Sequence, residues 1–469
     1  MGSKLLRHIS LFGIGVYLLA LSVVSIAFPS QALQTKWILW GIGEVLFFFG
    51  LTTFFYPRWK NDDPKVFRRK VFFTALAIRA LYAFLMCYYY YYETGLPFEY
   101  DAADSLSYHK TALYMSRCVR VGAVSHIFRH LNAYTMGYSD QGYMLWLTLI
   151  YTIFGRNILT PRLLKALMSA YLCIVIQKLG TRTFGERTGR LAAVMSVFLP
   201  TFILSCGLHT KEMDMVFIAV FALERMDYLI RSKKYTFWNI LSPILLTGLA
   251  FGFRTILGMC LIFAFLMYVV FSPNGIIGKK NKTVMLAATA VVFFAFLITP
   301  IGWEMRYIYK MKFTDLDFQS KKYKALGMKH SKLANSVLLA PGAFVLPMAP
   351  LVEATPDHNK MINGSTYVKN FLAYFAMLAI VIAIRQKKWR DFSLIGAFEL
   401  SYIAIIIFSF AANSERFHQP SVPMIILMSA YSLTHLRRKD LRLFYVYCVV
   451  LFAALLTWNW LKLSARGLL

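Results

Sequence analysis

The chain has 469 residues, of which 58% are hydrophobic, and a mean hydropathy of +0.55. Soluble globular proteins hold about 45 to 50% apolar residues, so this composition excludes a water-soluble domain and indicates a polytopic membrane protein. Its 51 Lys and Arg against 22 Asp and Glu leave a formal charge of +29, but they sit in short clusters between apolar runs, which argues for inward-facing loops and not for a nucleic-acid surface.

Spanning helices need roughly 20 apolar residues, and the first runs fall near 9 to 29, 37 to 56 and 69 to 90. The first follows Lys4 and Arg7 and has no small-residue cleavage site, so it reads as a retained helix. Arg58, Lys60, Lys65, Arg68, Arg69 and Lys70 between the second and third runs set that loop inside, which sends the stretch Tyr100 to Tyr108 outside. Tyr88 to Tyr92 form an aromatic belt at that outer interface.

Residues 93–160 then read as an external loop with interfacial helices, among them Ser105 to Val119 and the short apolar run Gln141 to Phe154. Counting that run as a span would push Lys178, Arg182, Arg187 and Arg190 outside and invert every later loop; an interfacial or re-entrant helix keeps all basic loops inside. Ten further spans lie near 161 to 180, 189 to 207, 213 to 230, 238 to 253, 255 to 272, 283 to 302, 366 to 385, 392 to 411, 421 to 436 and 443 to 462. The expectation is an all-α transmembrane bundle of about 13 helices forming a single domain over 1–469, with a second external loop over 303–365. Six scattered cysteines lack metal-type spacing and read as small core residues.

Four features converge on the outer face. Asp101 and Asp104 stand in the first polar gap, where a carboxylate can activate a hydroxyl and a pair three apart can share a proton or a divalent cation; a helix N-cap is the plainer role for Asp104. His209, Thr210, Lys211, Glu212 and Asp214 follow the helix that closes with Pro200 to Gly207, and charges so near an apolar run face a cavity or the interface. Arg254 separates two apolar runs, as a snorkelling residue or a phosphate ligand. Arg416 and His418 lie in a short turn before Pro420 and Pro423, and Arg416 offers a planar fork suited to phosphate.

With these residues in order, the chain resembles the GT-C superfamily, and within it the bacterial relatives of dolichyl-phosphate-mannose protein mannosyltransferases and aminoarabinose transferases. Asp104-Ser105 with Tyr108 and Ala112 resembles the first-loop pattern; Leu147 to Gly155, Arg162 to Leu167 and Leu179 to Gly189 resemble the loop helix, spanning helix and basic inner turn. Pro200, Lys211 and Glu212 resemble the following segment, and Arg416-Phe417 with Pro420 and Pro423 the late Arg-aromatic turn. Ser139 to Gly142 departs from the Pro expected before the loop helix, and His418 stands where a second Arg is often found.

The resemblance implies an inverting glycosyltransferase of the inner (plasma) membrane. Its site would be extracytoplasmic, its donor a sugar on a polyprenyl phosphate, and its acceptor a protein, lipid or glycan. It implies Asp104 or Asp101 as base, Arg416, Lys211, Arg254 and His418 at the donor phosphate, Glu212 and Tyr108 in support, and no cofactor beyond a divalent cation between Asp101 and Asp104. Rivals are a polymerase or ligase using a lipid diphosphate-linked glycan and a lipid-linked substrate transporter; a transporter should carry its ionisable residues at the bilayer midplane, where only Arg79 and Glu399 fall.

Overall fold

The path of the chain is set by where its helices start and stop. The computed structural model describes residues 3–100, 102–134, 141–272, 278–299, 302–303, 306–307, 342, 344–353, 359–408, 414–464 and 466–468. Asp101 and most of the expected loop 303–365 lie outside the described residues. Those described are built from helices, joined by turns and one isolated antiparallel bridge between Ala32 and Val352.

Helices α1 (Ser3–Ala27), α2 (Thr35–Trp59) and α3 (Pro64–Thr94) lead the chain. The Asp63 carboxylate accepts from the Lys65 amide at 2.8 Å, Pro64 occupies the first turn, and Gly95 ends α3 in the left-handed region at φ 73°. Next come α4 (Ala103–Arg120), α5 (Val124–Tyr134) and α6 (Gln141–Phe154). The last has the bounds expected for the interfacial run; its 14 residues are too few to span, and it packs on α4.

Helices α7 (Leu159–Phe184), α8 (Glu186–Phe198), α9 (Pro200–Gly207), α10 (Glu212–Ser232), α11 (Phe237–Phe253), α12 (Thr255–Phe271) and α13 (Lys279–Ile298) follow. After the 303–365 stretch come α14 (Asn363–Arg385), α15 (Ser393–Phe408), α16 (Glu415–His418), α17 (Val422–Thr434) and α18 (Arg438–Ser464). Gly142 of α6 meets Gly252 of α11 so closely that a Cβ on Gly142 would lie 2.8 Å from the Gly252 carbonyl carbon. Only glycine fits that contact of backbone on backbone.

Each of the 13 expected runs overlaps a helix, the run 189 to 207 being the pair α8 and α9 bent by 44°. Six helices (α1, α2, α3, α7, α14 and α18) are long and apolar enough to cross a membrane among the described residues, or seven if the bent pair is one span. Helices α11, α12, α15 and α17 are short, and α10 carries Glu212, Asp214, Glu224 and Asp227.

The first turns of α10 and α12 share one end of the bundle with α4, α6 and α16. The far ends of α7 and α10 are tied by Arg182, which donates to Glu224 at 2.8 Å and Asp227 at 2.7 Å. Arg231 bridges Asp227 at 2.7 Å and Asp391 at 3.6 Å, and the Tyr268 hydroxyl of α12 donates to Asp227 at 3.0 Å. Charges are not confined to helix ends and to Arg79 and Glu399: Glu44, Lys165 and Lys369 are buried as well. Lys369, for instance, completes the Leu346 carbonyl at 2.6 Å and faces Glu415 at 3.5 Å.

Candidate active site

Three segments far apart in sequence meet on the Arg416 guanidinium. Its Nη1 donates to Asp104 Oδ2 at 2.9 Å, and its Nε and Nη2 reach Glu212 Oε1 at 2.8 and 2.7 Å. Asp104 stands in the first turn of α4, whose N-cap is Ala102, so the capping role open to it in the sequence is not the one it plays. Glu212 opens α10 and is buried, whereas the Arg416 and Asp104 side chains are 41% and 54% exposed. Burial works against the charge on Arg416, but Glu212 and then Asp104 raise its pKa above the ordinary arginine value.

Lys211, the N-cap residue of α10, lies beside this group with its Nζ 6.0 Å from the Tyr108 ring centroid. Burial lowers its ammonium to about 7; the nearby Arg254 charge acts in the same sense and Glu212 against it. Tyr108 is itself buried, and burial followed by the Glu212 and Asp104 carboxylates raises its phenol. Arg254, in extended conformation between α11 and α12, stacks on Phe417 with its guanidinium carbon 4.2 Å from the ring centroid. His418 is buried at the end of α16, with Ser421 Oγ donating to its carbonyl at 2.9 Å. Asp104, Glu212 and Arg416 are thus in direct contact, with Lys211 and Tyr108 adjoining and Arg254 joined through Phe417.

Beneath them lies a buried polar layer in which His209, Thr210 and Asp214, expected from the sequence, meet His109, Tyr151 and Lys165, which the sequence did not single out. His109 Nδ1 and the Tyr151 hydroxyl are 2.8 Å apart, and Tyr151 reaches His209 Nε2 at 3.2 Å. Burial lowers the pKa of both imidazoles. Lys165 sits 3.8 Å from Asp214 and donates to the Leu208 and Thr210 carbonyls. The Tyr143 hydroxyl, Asp214 Oδ2, Glu212 Oε2 and Thr255 Oγ1 are buried with no hydrogen-bond partner. Buried polar atoms are ordinarily satisfied, so these four are set to meet a polar ligand or water.

Among the described residues no group of three or more His, Cys, Asp or Glu side chains is arranged around a metal position. The expected cation pair needs Asp101, outside those residues. An apolar cavity of about 960 Å³ lies between α12, α14 and α15, walled by Met259, Phe263, Phe271, Ile384, Trp389 and Leu400. Glu399 also lines it, buried and with neither carboxyl oxygen bonded.

Helical structure through the described residues, with six or seven helices of membrane length and a cluster of Asp104, Glu212 and Arg416 at one end, fits a multi-pass membrane protein with a polar site at that end. Residues 142–303 match the family model described as dolichyl-phosphate-mannose-protein mannosyltransferase, which supports a membrane glycosyltransferase of the GT-C superfamily. The matched stretch runs from α6 to just past α13 and contains Lys211, Glu212 and Arg254; Asp104 and Arg416 lie outside it. No curated protein and no solved structure matches the chain significantly.

Proposed function

We propose that the protein transfers a sugar, with inversion, from a polyprenyl phosphate to an acceptor hydroxyl or amine at the extracytoplasmic face of the inner membrane. On this reading all 13 expected runs enter the bilayer, and 93–160 and 303–365 are external loops of a single domain. The observation that carries the reading is the guanidinium of Arg416 held between Asp104 and Glu212.

Arg416 keeps its Nε and Nη2 on buried Glu212 and turns Nη1 from half-exposed Asp104 to the donor phosphate. The exposed pair that breaks is worth roughly 0 to 1 kcal/mol, so the singly charged phosphodiester of the donor displaces it, and the second phosphate charge develops only as the polyprenyl phosphate leaves. That exchange frees the Asp104 carboxylate to take the proton of the acceptor as its oxygen or nitrogen attacks the anomeric carbon. The bond from anomeric carbon to phosphate oxygen breaks, and the charge gathering on the leaving phosphate is met by Arg416, Lys211, Arg254 and His418. Tyr108 walls the site. Tyr143, Asp214 and Thr255, with their open polar atoms, suit sugar hydroxyls. The apolar cavity beside α12 has room for part of the lipid chain.

Purified protein given polyprenyl-phosphate sugars should transfer them, read by mass spectrometry, and Asp104→Asn should stop transfer while leaving donor binding intact. Full activity in that variant removes Asp104 from the mechanism. Turnover only with diphosphate-linked oligosaccharides moves the protein to the polymerases and ligases.

A further inference from the structure

Arg79 lies in the interior of α3, fully buried, and no carboxylate forms an ion pair with it among the described residues. A guanidinium inside an apolar bundle is costly unless its donors are used. Two of its hydrogen bonds fall on one feature, and the others go to the Ala75 carbonyl of α3 and to Ser169 and Cys173 of α7. Nη2 donates to the Ser196 carbonyl at 2.8 Å and Nη1 to the Val197 carbonyl at 3.2 Å, while Nε is braced by Ser169 Oγ of α7 at 2.7 Å.

Those carbonyls stand at the bend between α8 and α9. Pro200 has no N–H to return to Ser196, four residues earlier, and its ring breaks the helix there; Leu199 is extended at φ −68°, ψ 118°. Arg79 supplies what the proline removes. At the other end of α9, Lys165 completes the carbonyls of Leu208 and Thr210, and Gly207 is pressed so closely on Tyr82 of α3 that a Cβ would lie 2.7 Å from the ring. Two buried cations therefore hold the chain on either side of an eight-residue helix by carbonyls that flank it, those of Ser196 and Val197 before it and of Leu208 and Thr210 after it. The chain leaving it is Lys211 and Glu212.

We infer that Arg79 is a positioning residue for sugar transfer: it fixes the bend at Pro200, and the bend aims α9 so that Glu212 meets Arg416. This rests on the proposed function only for the transfer it serves; the placement itself is testable without activity. Cys206 on α9 is fully buried, so its rate of thiol labelling, with the other five cysteines replaced by alanine, reports whether α9 keeps its place.

Arg79→Met should lower the melting temperature, speed Cys206 labelling about tenfold or more, and cut transfer by roughly a hundredfold, as expected of a displaced active-site segment. Adding Pro200→Ala returns an N–H to Ser196 and straightens the helix. The double variant should regain the melting temperature of the parent yet keep the fast labelling and the lost transfer. Recovery of transfer along with stability would make Arg79 a fold support only, and slow labelling in Arg79→Met would remove it from the bend. If the parent transfers no polyprenyl-phosphate sugar, the function falls, while labelling and melting still decide whether Arg79 places α9.

Discussion

At the scale of the residue, the decisive contrast is between the two carboxylates on Arg416. Glu212 is buried and Asp104 is half-exposed, so the same guanidinium has one firm partner and one exchangeable partner. Glu212→Gln should therefore damage more than its own hydrogen bond. It unseats Arg416 and should lower kcat/KM by about a hundred- to a thousandfold, the usual cost of losing one well-placed charge-stabilising group, while Arg416→Ala should also weaken donor binding. Unchanged donor affinity in Arg416→Ala would assign that residue to packing.

Lys211 provides a pH test. A lysine lowered to about 7 is cationic below that pH and neutral above it, so kcat/KM, which reports the free enzyme, should fall as pH rises through about 7. Lys211→Arg should move that falling limb to higher pH. A limb that stays in place belongs to another group. The same shift carries a stability term of defined sign: between about 7 and the ordinary lysine value the unfolded chain binds the extra proton, so stability rises with pH across that window.

At the scale of the element, much was legible and the reasons are local. The bounds of α6 could be read because its apolar run is short and closed by Gly155, whereas 189 to 207 reads as one helix and the break that Pro200 imposes on it was not foreseen. The helical side of the polar layer was not legible: Tyr143, Tyr151 and Lys165 lie within apolar helices, and their partners come from the 208–214 segment, which no local periodicity links to them. The contact of Asp104 with Arg416 joins residues 312 apart, so the sequence could set the two on one face but not against each other. Helix α6 also rests on a contact that composition hides. Gly142→Val should force α6 away from α11, loosening Tyr143 and lowering both the melting temperature and transfer; a variant that melts and turns over like the parent would show that α6 tolerates the displacement.

At the scale of the whole molecule, the proposed orientation places α4 outside and the turn between α14 and α15 inside. A cysteine at exposed Val121 should react with a membrane-impermeant thiol reagent in intact cells, and one at Lys387 only after permeabilisation. The reverse pattern would invert the bundle and place the candidate site in the cytoplasm.

The knot of Arg182, Glu224, Asp227, Arg231, Tyr268 and Asp391 lies at the end of α7 and α10 remote from Arg416. Helix α10 is therefore clamped at both ends, by this knot and by the contacts of Arg416 with Glu212 and of Lys165 with Asp214. Cutting the knot with Arg182→Ala should quicken amide hydrogen exchange around Arg231 while leaving it slow toward Glu212; exchange that quickens along the whole helix would show that the two clamps act as one.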